Sequence, residues 1–139
     1  MSEELKEIEQ ACTDLEDIKK YNIKKLLSTF LSKIQIKIDN YIGDYPTFIE
    51  PVHLEENVKI GEDVLIGPNV YIGANTEIGD YVEISNSIIF ENVKLGENFK
   101  LENCIILKNS NLKISNISLK NCILKGKCNS ESELERYEI

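Results

Sequence analysis

Histidine is the first residue type to consider, because its imidazole is the usual proton carrier near neutral pH. The sequence contains one, His53, between Val52 and Leu54. If this fragment is a strand, its alternation turns His53 away from the face that Val52 and Leu54 share. An outward imidazole suits a general base that takes a proton from a bound hydroxyl or amine, with Glu50 or Glu55 orienting the ring. It equally suits an ordinary surface or interface histidine, and the sequence leaves both open.

Cysteine is the other residue type with ready chemistry, and the chain has four: Cys12, Cys104, Cys122 and Cys128. They form no Cys-x-x-Cys pair, whereas structural zinc sites usually take four Cys or His ligands at close spacing. We therefore expect no metal site. The four are interpreted as small buried thiols in a reducing compartment.

The composition narrows the class of protein. A length of 139 residues predicts one domain, and the formal charge of −8 argues against nucleic acid as a partner. No apolar run approaches the length of a membrane span, and the amino terminus is charged from its third residue. We expect a cytoplasmic protein with no membrane partner.

A six-residue repeat dominates the sequence from Val58 onward, in units such as "NVKIGE", "DVLIGP" and "NVYIGA". An Ile or Leu recurs at steps of five to seven residues: Ile60, Ile66, Ile72, Ile78, Ile84, Ile89, Leu95, Leu101, Ile106, Leu112, Leu119 and Leu124. This period fits neither an amphipathic helix nor a heptad. It predicts very short strands separated by corners, with Asn in the left-handed region and Gly supplying positive φ at the bends.

Three similar fragments set the number of sides. "NSIIFEN" begins at Asn86, "NCIILKN" at Asn103 and "NCILKGK" at Asn121, each three units after the last. The chain is therefore expected to wind as a triangular prism of four to five turns, extending back through Leu54 and Phe48. Ser87, Cys104 and Cys122 should then stack in one file inside one side.

The outward residues differ from side to side of this prism. Two sides present mainly polar residues, whereas the third presents His53, Tyr71, Ile88, Ile105 and Ile123, with Phe90 and Leu107 beside them. A continuous apolar stripe on a wet surface indicates a contact. Its cover is either the chain's own amino-terminal helix, through Leu15, Ile18, Leu26 and Phe30, or another subunit. In the second case Tyr71, Ile88, Phe90, Ile105, Leu107 and Ile123 form an intermolecular interface.

Both ends of the chain look helical. Thr13 and Glu16 have capping-box spacing before an amphipathic stretch, and the segment before them also has a helical pattern. Ser132 and Glu135 repeat the capping spacing and predict a short helix over the last turn. We divide the chain into a helical segment at 1–45, the coil at 46–126 and a cap or tail at 127–139.

The repeat units resemble the hexapeptide repeats of left-handed parallel β-helices, which occur in acyltransferases and in the carboxyl-terminal domains of sugar-1-phosphate nucleotidyltransferases. The resemblance covers roughly residues 46–126. The stretch "TDLEDIKKYNIKKLL" and the fragment "ISNSIIFENVKLG" are similar to nucleotidyltransferases related to mannose-1-phosphate guanylyltransferase. One departure is "EELKEIEQAC", which looks helical where that family has a strand.

The larger departure from that family concerns catalysis. The chain has no Gly-rich phosphate loop and no room for the nucleotide-binding domain. The resemblance therefore implies a non-catalytic assembly or regulatory protein of nucleotide-sugar metabolism. Its partner would be a nucleotidyltransferase subunit or further copies of itself, as a dimer or trimer.

The acyltransferase branch of the same resemblance implies an alternative function. The chain would transfer an acyl group from acetyl-coenzyme A to a sugar or nucleotide sugar, with His53 as general base. The cofactor would lie between neighbouring coils of a trimer. No extended loop interrupts the repeats, although such a site usually has one.

Overall fold

The computed structural model describes residues 3–13, 22–39, 41–43 and 45–139. Most of the chain winds into a left-handed parallel β-helix with three flat sides. The first side contains β1 (Tyr41–Gly43), β4 (Val58–Ile60), β7 (Glu77–Ile78), β10 (Lys94–Leu95), β13 (Asn111–Leu112) and β16 (Lys127–Cys128). The second contains β2 (Thr47–Phe48), β5 (Leu65–Ile66), β8 (Glu83–Ser85), β11 (Phe99–Glu102) and β14 (Ile117–Lys120).

The third side contains β3 (Val52–Leu54), β6 (Val70–Ile72), β9 (Ser87–Ile89), β12 (Ile105–Ile106) and β15 (Cys122–Lys125), followed by the antiparallel strand β17 (Glu135–Glu138). The prism has five turns and a sixth strand on its first side. The parallel strands run from Tyr41 to Cys128, and the antiparallel β17 follows them.

The interior of the prism is almost entirely aliphatic. The repeated Ile or Leu of each unit points inward and is buried, as are the valines two residues before it. Strands only two to four residues long are stable here because each one pairs in parallel with the strands one turn above and below. The predicted file of Ser87, Cys104 and Cys122 is confirmed: the Cys104 amide donates to Ser87 Oγ at 3.1 Å, and the Cys104 and Cys122 sulfurs lie 3.7 Å apart.

The corners confirm the prediction for asparagine and correct the one for glycine. Asn residues occupy the left-handed region at corner after corner, including Asn57, Asn75 and Asn92. Positive φ was predicted for the glycines of the repeat, and only Gly67 has it among Gly61, Gly67, Gly73, Gly79 and Gly96. Gly79 is required for a different reason: a Cβ there would lie 2.4 Å from the Gly96 carbonyl oxygen of the next turn. These glycines let stacked turns approach closely.

Two helices precede the coil: α1 (Glu3–Thr13) and α2 (Ile23–Leu31). The helical pattern predicted for the first segment is confirmed. Thr13, however, ends α1, and its hydroxyl donates to the Glu9 carbonyl at 2.6 Å. The cap of α2 is Asn22, whose side chain accepts from the Lys25 amide at 3.1 Å. Glu16 lies outside the described residues. No helix among the described residues is long and apolar enough to cross a membrane.

The predicted carboxyl-terminal helix is wrong. A single 3-10 turn at Glu131–Glu133 leads into β17, which pairs antiparallel with β15. A helix of this length is marginal by itself, whereas β15 offers a row of unpaired backbone groups at the end of its side. Strand pairing satisfies those groups, so the segment covers the last turn as a strand.

Candidate functional site

The apolar stripe of the third side exists as one file of outward residues. Register pairs His53 with Tyr71, Tyr71 with Ile88, Ile88 with Ile105 and Ile105 with Ile123. Four of these five side chains are fully or almost fully buried, although they point away from the core of the prism. Phe90 and Leu107 are buried beside them. Something therefore covers this side.

The cover is the chain's own amino-terminal region. Leu5, Ile8, Ala11 and Cys12 of α1 and Ile23, Leu27, Phe30 and Leu31 of α2 form one apolar cluster with the stripe. The rings of Phe30 and Tyr71 meet edge to face, with centroids 5.6 Å apart. The sequence left two possible covers for the stripe, the chain's own amino-terminal region and another subunit. In the structure, the amino-terminal region covers it. Leu15 and Ile18 lie outside the described residues, and α1 is a part of the cover that sequence reasoning missed.

Ion pairs at the rim join the helices to the coil and to each other. Lys108 Nζ lies 3.1 Å from Glu9 Oε1 of α1, and Lys33 Nζ, just after α2, lies 3.6 Å from Glu4 Oε1. The hydrogen bond and the negative charge of Glu9 raise the pKa of Lys108. These side chains are solvated, so the buried apolar contact holds the helices in place and the ion pairs orient them.

His53 is built into the top of the same side. Its Nδ1 lies 2.8 Å from the Gln35 carbonyl oxygen, and its Nε2 lies 2.6 Å from Glu55 Oε1. The ring stacks on Tyr71, with centroids 5.3 Å apart. Burial, followed by the charges of Glu55 and Glu91, raises the pKa of Tyr71. The expectation that Glu55 orients His53 agrees with this geometry.

The chemistry available to His53 is limited by these contacts. A general base presents a nitrogen lone pair to its substrate. Here each ring nitrogen already has a partner within the chain, and both partners are hydrogen-bond acceptors. The arrangement fits a histidine that joins Gln35, just beyond α2, to the first turns of the coil. Its role as a general base, with acetyl-coenzyme A as the acyl donor, stays a prediction.

The cysteines have the environments of unreactive thiols. All four are free and buried, and no group of three or more His, Cys, Asp or Glu among the described residues is arranged to hold a metal ion. The hydrogen bond to Cys104, followed by burial, raises the pKa of Cys122. The same contact lowers the pKa of Cys104. Both sulfurs nevertheless lie inside the prism, where a substrate or metal ion does not reach them.

The first turn of the prism carries a second apolar surface, which sequence reasoning missed. Within the part of the chain that the structure describes, β1 and β2 each pair with a strand on one edge only, at β4 and β5. Four of the five exposed large apolar side chains among the described residues lie here: Ile36, Ile42, Tyr45 and Ile49. We call this surface the open first turn. The signal was present: Ile42 precedes Lys59 and Glu77 in their outward file, and it is apolar where they are charged.

Comparison with known protein families gives a match over most of the coil. The family model of the GMPPB C-terminal domain matches residues 48–135, more than half of the chain. The chain belongs to this family. No curated protein and no solved structure matches it. The GMPPB C-terminal domain relates the chain to the sugar nucleotidyltransferases that make nucleotide sugars, which confirms the suspected family.

The match with the family model covers most of the coil and leaves out the helices. The GMPPB C-terminal domain match runs from β2 into β17, so it contains the whole apolar stripe from His53 to Ile123. The helices that cover the stripe lie before it, as do Ile36, Ile42 and Tyr45 of the open first turn. The described residues contain no nucleotide-binding α/β domain.

Proposed function

We propose that this chain is a non-catalytic assembly or regulatory protein of nucleotide-sugar metabolism. It binds a sugar nucleotidyltransferase subunit through the open first turn. The observation that carries the proposal is that β1 and β2 each have one edge that no described residue pairs with, and that Ile42 and Tyr45 are exposed there.

The two ends of the prism differ in a way that supports this surface. At the carboxyl-terminal end of the third side, β17 pairs with the exposed edge of β15. At the other end, Lys37 bridges to β3 on the third side, and the described residues place no strand beyond β1 or β2. Exposed strand edges with apolar side chains readily pair with another chain. Tyr45 is 95% exposed and Ile42 56%, so the surface is accessible.

The partner is inferred from shape and from family. A terminal turn with three sides of two or three residues is best continued by another turn of the same cross-section. Nucleotidyltransferases related to this family carry such a coil, so their coil can meet this one end to end. The contacts of His53 support a role without catalysis, because both ring nitrogens have partners in the chain.

The test is a mixing experiment with a purified mannose-1-phosphate guanylyltransferase from the same organism. Sedimentation velocity is expected to show a complex with the wild-type chain, and nucleotidyl transfer is measured with and without it. Ile42→Glu places a charge on the open first turn and should abolish the complex. Ser118→Glu adds the same charge to an exposed position of β14 and should leave it intact.

Three results would contradict the proposal. The proposal is wrong if no complex forms at micromolar concentrations. It is also wrong if Ile42→Glu and Ser118→Glu weaken the complex equally. In the third result, the wild-type chain binds itself and not the transferase, and Ile42→Glu abolishes that self-association. This result would show that the open first turn is a binding surface, and it would overturn the transferase as its partner.

A further inference from the structure

A groove runs between α2 and one corner of the prism. Its volume is about 410 Å³, within the usual range for small-molecule sites. Asn69, Asn86, Asn103 and Asn121 line the wall on the coil, one from each of four successive turns. Leu27 and Leu31 line the opposite wall, and Lys24 supplies a cation.

The corner under α2 differs from the other two corners in its burial. Its four asparagines are all half-buried, whereas the six corner asparagines elsewhere, Asn57, Asn75, Asn92, Asn98, Asn109 and Asn116, are exposed. The helix therefore encloses this one row of side-chain amides. The asparagine rows at the other two corners are exposed to water, although the backbone is left-handed at all three corners.

The hydrogen bonds at this corner are also incomplete. Late in the prism, the other corners pair their amides, at 2.9 Å between Asn92 and Asn109 and at 2.8 Å between Asn98 and Asn116. Asn69 and Asn86 are paired in the same way at 3.0 Å. No hydrogen bond within the described residues engages the side-chain amides of Asn103 and Asn121, which face the groove.

The geometry points to a binding site for an acidic sugar, in which the side-chain amides of Asn103 and Asn121 bind ring hydroxyls and Lys24 pairs with the anionic substituent. A carboxamide both donates and accepts, and so does a hydroxyl, so the pairing satisfies both groups. Leu27 and Leu31 offer an apolar edge for the carbon side of a sugar ring.

An extended peptide fits this groove less well. Peptide grooves combine backbone hydrogen bonds with pockets for alternate side chains. The Asn row presents the same side chain at every turn and has no such alternation. The anionic group is either a carboxylate or a phosphate, since a single ammonium group serves both. This site does not depend on the open first turn and stands or falls separately from the proposed function.

The experiment uses the full chain with glucose, glucuronate, glucose 6-phosphate and inorganic phosphate as probes. Calorimetry should show that both acidic sugars bind more tightly than glucose, and that phosphate alone binds weakly. In ¹H–¹⁵N spectra, the side-chain amide signals of Asn103 and Asn121 should shift on binding, while those of Asn92 and Asn109 stay in place. The two acidic sugars distinguish carboxylate from phosphate as the preferred group.

Matched variants locate the binding. The double variant Asn103→Gly, Asn121→Gly removes both amides at positions whose positive φ glycine tolerates. It should weaken binding about tenfold or more, by the loss of at least two hydrogen bonds. The control double variant Asn92→Gly, Asn109→Gly makes the same change at an exposed corner and should leave affinity unchanged. Lys24→Met should remove the preference for acidic sugars over glucose.

Each other result would overturn the site. In the first such result, the wild-type chain binds none of the probes at millimolar concentration, and the Asn103 and Asn121 signals do not shift. A second is equal loss of affinity in the two double variants. A third is binding that only Lys24→Met affects, which would indicate a general attraction for anions. Thermal melts of each variant establish that it is folded, and the wild-type spectra test the site without any substitution.

Discussion

Individual residues in this chain have roles set by the direction in which the strand turns them. Ile105 points out of the prism and would be solvated on either of the other sides. On the third side it is fully buried, because α1 and α2 lie over it. Ile105 therefore stabilises the protein as a core residue does, in a second and smaller core between the third side and the two helices.

Replacing Ile105 tests this role directly. Ile105→Glu would bury a charge that has no partner, which typically lowers the free energy of unfolding by about 4 kcal/mol or more. We expect general loss of structure or a large fall in the urea midpoint. Ser118→Glu, at an exposed outward position, should change the free energy of unfolding by less than about 0.5 kcal/mol. A folded Ile105→Glu monomer with unchanged stability would show that the helices leave the stripe in solution.

Much of the residue-level structure follows from the sequence alone. The file of Ser87, Cys104 and Cys122 and the register from His53 to Ile123 follow from the spacing, because strand alternation and a fixed number of sides leave no other arrangement. The partners of His53 do not follow in full, since the Gln35 carbonyl reaches it from a segment with no repeat. The glycine role was also out of reach, because the close approach of Gly79 to Gly96 depends on how tightly the turns stack.

At the scale of elements, α1 is held by a buried face that includes Cys12, which is fully buried. Burial, together with the charge of Glu9, raises the pKa of Cys12 from 9.0 to about 12. As the pH rises past 9.0, an unfolded chain releases this proton first, so the unfolded state is favoured. The contribution of the thiol to stability therefore does not change with pH below 9.0, and the protein loses it as the pH rises toward 12.

This effect predicts a measurable slope. Above about pH 9, urea denaturation should show the free energy of unfolding falling by up to about 1.4 kcal/mol per pH unit for each such thiol. Cys12→Ala should make the fall shallower. It should not abolish it, because the pKa values of Cys122 and Cys128 are also raised. Identical slopes with and without Cys12 would mean that α1 does not bury this thiol in solution.

The strand β17 makes a separate prediction. Deleting residues 131–139 exposes the edge of β15 and removes Tyr137, the cross-strand neighbour of Ile123. Light scattering should then show concentration-dependent association, since an exposed strand edge pairs with other chains. Ser130→Ala removes only the hydroxyl that donates to Glu133 at 3.0 Å and should leave the protein unassociated. A truncated chain that remains monomeric would show that β17 is not needed to protect this edge.

The elements outside the repeat were the hardest to predict, for a physical reason. Within the repeat, the same pattern recurs at every turn, so any one unit is confirmed by its neighbours. The capping pattern of Ser132 and Glu135 occurs once. A helix cap stabilises this segment less than a whole row of backbone hydrogen bonds to β15. Likewise, the sequence patterns of α1 and of the open first turn each occur only once. A pattern that is not repeated cannot be distinguished from chance.

For the whole molecule, the contrast between its two ends predicts an uneven distribution of stability. In such stacked folds each turn contacts only its neighbours, so a turn with one neighbour opens most easily. The Thr47 amide donates to Val64, and the Leu65 amide donates to Val82 at the equivalent place one turn later. Hydrogen exchange should be faster at Thr47 than at Leu65. Binding of a partner at the open first turn should slow Thr47 selectively, whereas equal rates would argue against a weak first turn.

The register of the third side has a consequence for how such a protein can change its length. From His53 to Tyr71 is 18 residues and from Tyr71 to Ile88 is 17, so one circuit, and not one hexapeptide, restores the same facing. Excising residues 69–85 should shorten the column and leave every later residue on its own wall. Excising six residues would rotate all that follows by a third of a circuit and carry Ile105 and Ile123 onto a polar wall, away from the helices. Insertions and deletions that survive in its lineage are therefore expected to come in multiples of a full circuit.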